Sequence, residues 1–277
     1  MHTKEILKKI VSDNYDKSDF YTRNLLREYL QIFILKYIYS SKDYKDLFFY
    51  GGTCLSQCYG IPRLSEDLDF VDTKKDINLD NLAKDVKSFF ENNTDISPEI
   101  KIQKFRIYLK FPILKELGFV KDLSEPTHLF IKIEVFSDFD FCNKFKTEFK
   151  PIFKFNHSVL IKTFDIETLM ATKVRAIMYR KWEKTSKDGK SLASVKGRDF
   201  FDLMWFLEKG IEPNLDCIEG VQTKEELKCI LLEKVDNADS KSIEYDLKAF
   251  ISDQDFVLNI SSNIKDIIIK NLNNWKN

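Results

Sequence analysis

Strict alternation of apolar and polar residues is confined to the middle of this chain, and that confinement restricts its architecture more than any other feature. Phe105, Ile107, Leu109 and Phe111 alternate with Lys104, Arg106, Tyr108 and Lys110. Leu129, Ile131, Ile133 and Val135 alternate with Phe130, Lys132, Glu134 and Phe136. A period of two is that of a half-buried strand. A short apolar run, Leu47-Phe48-Phe49-Tyr50, reads as a further strand, as do residues 66–71 and 158–162. Elsewhere the spacing is helical. Over 19–39, Leu25, Leu26, Leu30, Phe33, Ile34, Tyr37 and Ile38 recur at three and four. Helices are expected over 54–59, 79–91, 166–181, 199–209, 224–234, 243–251 and 264–275. Strands in the middle with helices at both ends predict an α+β chain. A small mixed sheet flanked by helices would occupy 1–164, and a helical bundle 165–277. The first helical stretch, 1–45, is compatible with either part.

The chain has 277 residues, 43% of them hydrophobic, enough to bury a core. Its 44 basic residues balance 44 acidic ones. A broad electrostatic grip on nucleic acid is therefore not expected, although a local basic patch is compatible with neutrality. No stretch has the length of a membrane span or the apolar core of a signal peptide, so a cytoplasmic protein is expected. Cys54, Cys58, Cys142, Cys217 and Cys229 lack the spacing of a zinc site, and five thiols in such a context are expected to stay reduced. His2, His128 and His157 form no constellation.

The chemistry is concentrated in two short blocks. Strand 47–50 runs into Gly51-Gly52-Thr53, where glycines allow a sharp turn and close approach to a ligand, and a hydroxyl opens a helix that favours phosphate. Ten residues on comes Arg63-Leu64-Ser65-Glu66-Asp67-Leu68-Asp69-Phe70. On a strand Asp67 and Asp69 share one face, and Leu68 and Phe70 anchor the other. Adjacent carboxylates repel unless a cation lies between them, and hard oxygen ligands suit Mg²⁺, with Mn²⁺ as a substitute. The bland reading is a charged strand edge, but it gives no reason for the upstream glycine turn. Lys173 interrupts an apolar stripe of Leu169, Met170 and Ile177, so it either snorkels to a rim or meets a charged partner such as a triphosphate. Asp199 and Asp202 lie at a helix start, where carboxylates also act as caps. Residues 180–198 hold Arg180, Lys181, Lys184, Lys187, Lys190, Lys196 and Arg198 against Glu183 and Asp188, with Trp182 able to stack. They read as a basic loop, either simply solvated or guiding RNA.

Taken in order, these blocks resemble the abortive-infection (AbiEii-type) nucleotidyltransferase-like toxins of the DNA polymerase β-like superfamily. The matching residues are Gly51-Gly52-Thr53, the block from Arg63 to Asp69, Lys132-Ile133-Glu134-Val135, Lys173 in Met170-Ala171-Thr172-Lys173, and Lys196-Gly197-Arg198-Asp199-Phe200-Phe201-Asp202-Leu203. The last block exchanges the family's two basic residues, leaving open which of them meets phosphate. The likeness spans residues 48–207. It implies a nucleotidyltransferase core and transfer of a nucleoside monophosphate from an NTP to an acceptor hydroxyl, a tRNA being one candidate. Asp67, Asp69 and Glu134 would bind the metal. Gly51, Gly52, Thr53, Arg63, Ser65, Lys173 and Arg198 would hold the nucleotide. Lys173 and Asp199 join the three acidic ligands as catalytic residues, with Asp202 the alternative to Asp199. The biology implied is the toxin of a bacterial toxin–antitoxin or phage-defence pair, with an antitoxin protein as partner. A small-molecule nucleotidyltransferase of the antibiotic-modifying kind and a silent nucleotide-binding protein are the competing readings.

Overall fold

The computed structural model describes residues 2–122, 124–142, 144–185, 188 and 191–275, with Ser191 described by its backbone alone. The chain divides into two compact units, residues 1–139 with 148–163, and residues 140–147 with 164–277. The fold is α+β, 48% helix and 17% strand.

The first unit opens with α1 (Thr3–Asp13) and α2 (Asp19–Ser40). Ser18 caps α2 by accepting from the Tyr21 amide at 3.2 Å. Helix α2 is buried nearly all round, including the polar residues Asn24, Glu28 and Gln31. Then come β1 (Phe48–Tyr50), α3 (Gly51–Tyr59), β2 (Leu68–Val71), α4 (Leu79–Asn93), β3 (Glu99–Gln103), β4 (Arg106–Phe111), β5 (Leu129–Phe136), β6 (Thr147–Lys154) and β7 (His157–Phe164). The strands form one mixed sheet in the order β3-β4-β5-β2-β1-β7-β6. β2 lies parallel to β5 and antiparallel to β1, and β1 lies parallel to β7. Phe49, Leu68, Phe70, Ile131 and Ile133 are fully buried in its core. Phe155 and Asn156, both at positive φ, make the two-residue turn from β6 to β7, the backbone such tight connections require.

The second unit holds α5 (Ile166–Tyr179), short strands β8 (Lys184–Thr185) and β9 (Ser191–Ala193), α6 (Gly197–Glu208), a 3₁₀ turn at Leu215–Cys217, α7 (Lys224–Asp236), α8 (Ser240–Leu247) and α9 (Gln254–Asn273). Side chains of Asp165, Thr223, Asp239 and Asp253 cap α5, α7, α8 and α9. The expected basic loop is therefore partly a hairpin; Lys187 and Lys190 lie outside the described residues. Cys142 and Cys217 are joined by a disulfide and both are buried, which corrects the expectation of five reduced thiols. Their separation of 75 residues hid the pairing, because residues 140–147 pack with the helices and not with the strands around them in sequence. Among the described residues no helix is long and apolar enough to cross a membrane.

Candidate active site

Two charged clusters, one in each unit, gather the residues singled out by the sequence.

The first surrounds the segment leading into β2. Four consecutive carbonyls there are held by side chains. Arg63 Nη1 donates to Leu64 O at 2.9 Å. Gln31, wholly buried in α2, donates from Nε2 to Ser65 O at 3.2 Å and Glu66 O at 2.9 Å. The Thr53 hydroxyl donates to Asp67 O. Buried carbonyls need such partners, and here the partners fix the backbone that carries Asp67 and Asp69. Thr53 is fully buried and Arg63 is 5% exposed. Their observed contacts position the aspartates. Ser65 is likewise buried, at 9% exposure.

The glycines are explained in the same way. Gly51 has φ +78°, and a Cβ there would come within 2.3 Å of Asp69 Oδ2. A Cβ on Gly52 would stand 2.9 Å from both Arg63 Nη2 and Ser65 Oγ. The close approach made possible by the missing side chains is to the chain's own functional groups. Both glycines belong to α3 itself and not to a turn before it.

Sheet register completes the cluster. Asp69 lies beside Glu134 across the parallel β2–β5 pair, and Arg106 lies opposite Glu134 across β4–β5. Directly paired residues share a face. Asp67 precedes β2, yet its carboxylate joins the same group through Lys132. Lys132 Nζ stands 2.9 Å from Asp67 Oδ2 and 2.9 Å from Glu134 Oε1. Arg106 Nε lies 2.6 Å from that same Glu134 oxygen, an ion pair without hydrogen-bond alignment. Burial alone would lower the Lys132 pKa; Asp67 and Glu134 outweigh it and raise it to about 12. The cationic members, Lys132 and Arg106, were not assigned from sequence. The alternation of β5 already put Lys132 and Glu134 on one face, whereas the convergence of Asp67 and Arg106 depends on register.

These acidic groups fit a cation, because Asp67 and Glu134 already share one in the Lys132 ammonium. They are not a closed cage: among the described residues no three acidic, His or Cys side chains stand together as a ready metal site.

The second cluster lies in the helical unit. Lys173 Nζ is 3.2 Å from Asp199 Oδ1 and 2.7 Å from Asp202 Oδ2. Arg180 Nη1 is 2.6 Å from Asp199 Oδ2. Both aspartates are buried, so the charged partner that Lys173 needed is supplied within the unit, by both candidates at once. Asp199 makes no cap for α6, whose N-cap is Lys196. Arg198 contacts Asp246 Oδ2 from its backbone N and Nε at 2.9 and 3.2 Å, and its guanidinium lies 3.8 Å from the centre of the Phe250 ring.

Desolvation pushes the Asp199 pKa up, but Lys173, Arg180 and Lys196 outweigh it and hold it well below the usual carboxylate range. A folded-state pKa below the unfolded one gives stability that is present above about pH 4 and lost as pH falls through the folded value. Asp199→Asn is therefore expected to flatten the fall in melting temperature between about pH 5 and pH 2. Parallel melting profiles for wild type and variant would refute that account.

The fold and these clusters belong to a nucleotidyltransferase. The chain is a member of the AbiEii nucleotidyl transferase toxin family of type IV toxin–antitoxin systems, whose model matches residues 34–266. It is similar in fold to MenT4, nucleotidyltransferase toxin Rv2826c from Mycobacterium tuberculosis H37Rv, at 12% identity and a TM-score of 0.57, over 97% of this chain and 90% of that one. JHP933 from Helicobacter pylori aligns over 93% of this chain and 95% of its own, at 21% identity and a TM-score of 0.46. No curated protein matches the chain.

Proposed function

We propose that the protein transfers a nucleoside monophosphate from an NTP to an acceptor hydroxyl, as the toxin partner of an antitoxin protein. The observation that carries this reading is the pair of carboxylates, Asp67 and Glu134, sharing one cation beside Asp69. In the reaction the acceptor oxygen forms a bond to the α-phosphorus, the bond to pyrophosphate breaks, and the hydroxyl proton passes to a carboxylate of the cluster. Asp67, Asp69 and Glu134 would hold a divalent metal, Mg²⁺ or Mn²⁺, which would supply charge neutralisation at the phosphates. Gln31, Thr53 and Arg63 keep the aspartate backbone in place. Gly51 leaves room for the Asp69 carboxylate and Gly52 for Arg63 and Ser65, and the backbone at the start of α3 is the proposed seat of the triphosphate, with Ser65 beside it. Lys173, with Asp199 and Asp202 setting its position, is the proposed cation for the nucleotide in the helical unit. RNA, including tRNA, is the proposed acceptor class, supported by the basic run of residues 180–198. Part of that run is already engaged, since Arg180 pairs with Asp199 and Lys184 lies 4.8 Å from the centre of the Tyr245 ring.

The test is incubation with each labelled NTP, Mg²⁺ and separate pools of RNA, protein and small metabolites. Label in RNA with release of pyrophosphate supports the reading, and pyrophosphate without any labelled pool overturns it. Lys132 gives an independent check. Its ammonium competes for the oxygens a metal would use, so Lys132→Met is expected to bind Mn²⁺ about tenfold more tightly, as one like charge is removed from the site. Titration followed by electron paramagnetic resonance reads this without turnover. Unchanged or weaker Mn²⁺ binding would show that Lys132 does not stand in for the metal.

A further inference from the structure

Sheet register sets one row of residues on a single face: Tyr50, Asp69, Glu134, Arg106 and Gln103, in the strand order β1-β2-β5-β4-β3. Directly paired residues share a face, so the row has a direction. At one end Tyr50 runs into Gly51 and α3, the proposed seat of the triphosphate. Asp69 and Glu134 stand in the middle. At the other end lies the hairpin of β3 and β4. In an in-line displacement the attacking hydroxyl comes from the side opposite the leaving pyrophosphate, which here is the side of this hairpin.

The hairpin is basic. From Glu99 to Phe111 it holds Lys101, Lys104, Arg106 and Lys110 against Glu99 alone, in a chain whose charges balance overall. Arg106 pairs with Glu134, and its side chain is 41% exposed. Lys101, Lys104 and Lys110 make no ion pair among the described residues, whereas Arg180 of the basic run 180–198 is held by Asp199. Arg106, Tyr108 and Lys110 alternate with the buried Ile107, Leu109 and Phe111, so they point to the carboxylate face. Lys101 lies beside Tyr108 on that face, and Lys110 beside Phe130, an exposed ring. Glu99, also beside Lys110, stands 3.6 Å from His128 Nε2. Cations and aromatic rings thus follow one another over about 13 Å of β4, starting next to Glu134.

We propose that the β3–β4 hairpin is the surface that receives a single-stranded RNA end and leads its terminal hydroxyl to the carboxylates. This rests on the transfer reading above and adds the acceptor's path to it. Cations strung along a strand follow a chain of phosphates, whereas one small anion would need them converged on a point. Each ammonium that neutralises a phosphate releases counterions, which makes the contact favourable at low salt. Tyr108 and Phe130 offer faces on which bases stack whatever their sequence. An acidic protein surface would use the lysines and leave the rings idle; an RNA strand uses both. The Arg106 guanidinium, already beside Glu134, is placed to hold the phosphate nearest the reacting hydroxyl.

The experiment follows binding of a short, fluorescently labelled single-stranded RNA to the full chain by anisotropy over a series of salt concentrations. A variant with Lys101→Ser, Lys104→Ser and Lys110→Ser together is expected to bind about tenfold more weakly or worse at low salt. Its slope of log affinity against log salt should be shallower by about two, at about 0.7 for each of three lost phosphate contacts. Phe130→Thr should weaken binding about tenfold and leave the slope unchanged, as loss of stacking and not of charge. Both variants should melt within a few degrees of the wild type, because the side chains removed lie at the surface. Affinity for a non-hydrolysable NTP analogue with Mg²⁺ should stay within about twofold in the triple variant. No saturable RNA binding, or equal affinities and parallel salt curves for wild type and triple variant, overturns the proposal. So does a loss of analogue affinity with RNA affinity intact, which would put the hairpin on the nucleotide's side. Displacement of RNA by polyglutamate, with no effect of Phe130→Thr, would mark a docking surface for an acidic protein and overturns it as well. Labelling of RNA by wild type and triple variant alike leaves the transfer reading standing and sinks the hairpin; RNA binding through the hairpin without transfer from any NTP does the reverse.

Discussion

Asp67→Asn combined with Asp69→Asn is expected to lower nucleotide transfer at least about a thousandfold, a loss of several kcal/mol of charge stabilisation in the transition state. The fold should survive. Thr53 and Gln31 hold backbone carbonyls of this segment, and those bonds do not involve the carboxylates. Asparagine keeps the size of aspartate and removes the like-charge repulsion beside Gly51. Lys132 loses one partner but keeps Glu134 at 2.9 Å. Chemical melting of the double variant should therefore fall within about 1 kcal/mol of the wild type. Pyrophosphate release and melting measured on the same preparation decide the matter. Near-normal activity sinks the two-aspartate mechanism, and a large drop in stability would mean that the two carboxylates hold the fold together.

Lys173→Met carries the largest expected effect on stability. The apolar stripe of α5 taken by itself says that methionine should fit at no cost. The structure says otherwise, because Asp199 and Asp202, both buried, would be left facing each other without Lys173. Removing one partner of a buried ion pair typically destabilises by about 3–5 kcal/mol. For a chain of this size that corresponds to a fall in melting temperature on the order of 10 °C. Adding Asp202→Leu should recover part of the loss, since it removes one of the two buried like charges. A Lys173→Met protein that melts like the wild type would show that the cluster contributes nothing to stability.

The elements that could be read from sequence are those with a full apolar face. β4 and β5 alternate cleanly because each is covered on one side and flanked by strands on both edges. β3 and β6 were not anticipated, and they are the two edges of the sheet. The residues of β3 are all exposed or half-buried, and β6 carries Pro151, a residue tolerated in an edge strand that argues against strand in a sequence. Helix α9 begins at Gln254, ten residues before the expected start, because Ser261, Ser262 and Asn263 interrupt its apolar spacing although Ser261 is buried. At the site, Asp67, Asp69 and Glu134 were legible as a motif and Gly51 as a glycine that the backbone needs. The family match extends well beyond the motif-bearing stretch of residues 48–207. Gln31 was not legible, since a glutamine in an apolar helix declares no target. The network of Arg106, Lys132 and Asp67 was not legible either, because strand register is a property of the sheet and not of any one segment.

The sheet order also sets when, during synthesis, this protein acquires its site. β2 is wedged between β1 and β5, and β1 is closed on its other side by β7, where the Thr163 hydroxyl donates to Phe49 O across 114 residues of sequence at 2.6 Å. Pairings of such long range form only after the intervening chain exists, and parallel ones are slow to form. A nascent chain that has emerged only as far as Asp69 thus carries the aspartates but no carboxylate cluster, and a chain halted before β7 has an open seam beside β1. A chain still on the ribosome therefore lacks the carboxylate cluster until β5 has paired with β2, and the sheet stays open beside β1 until β7 has emerged.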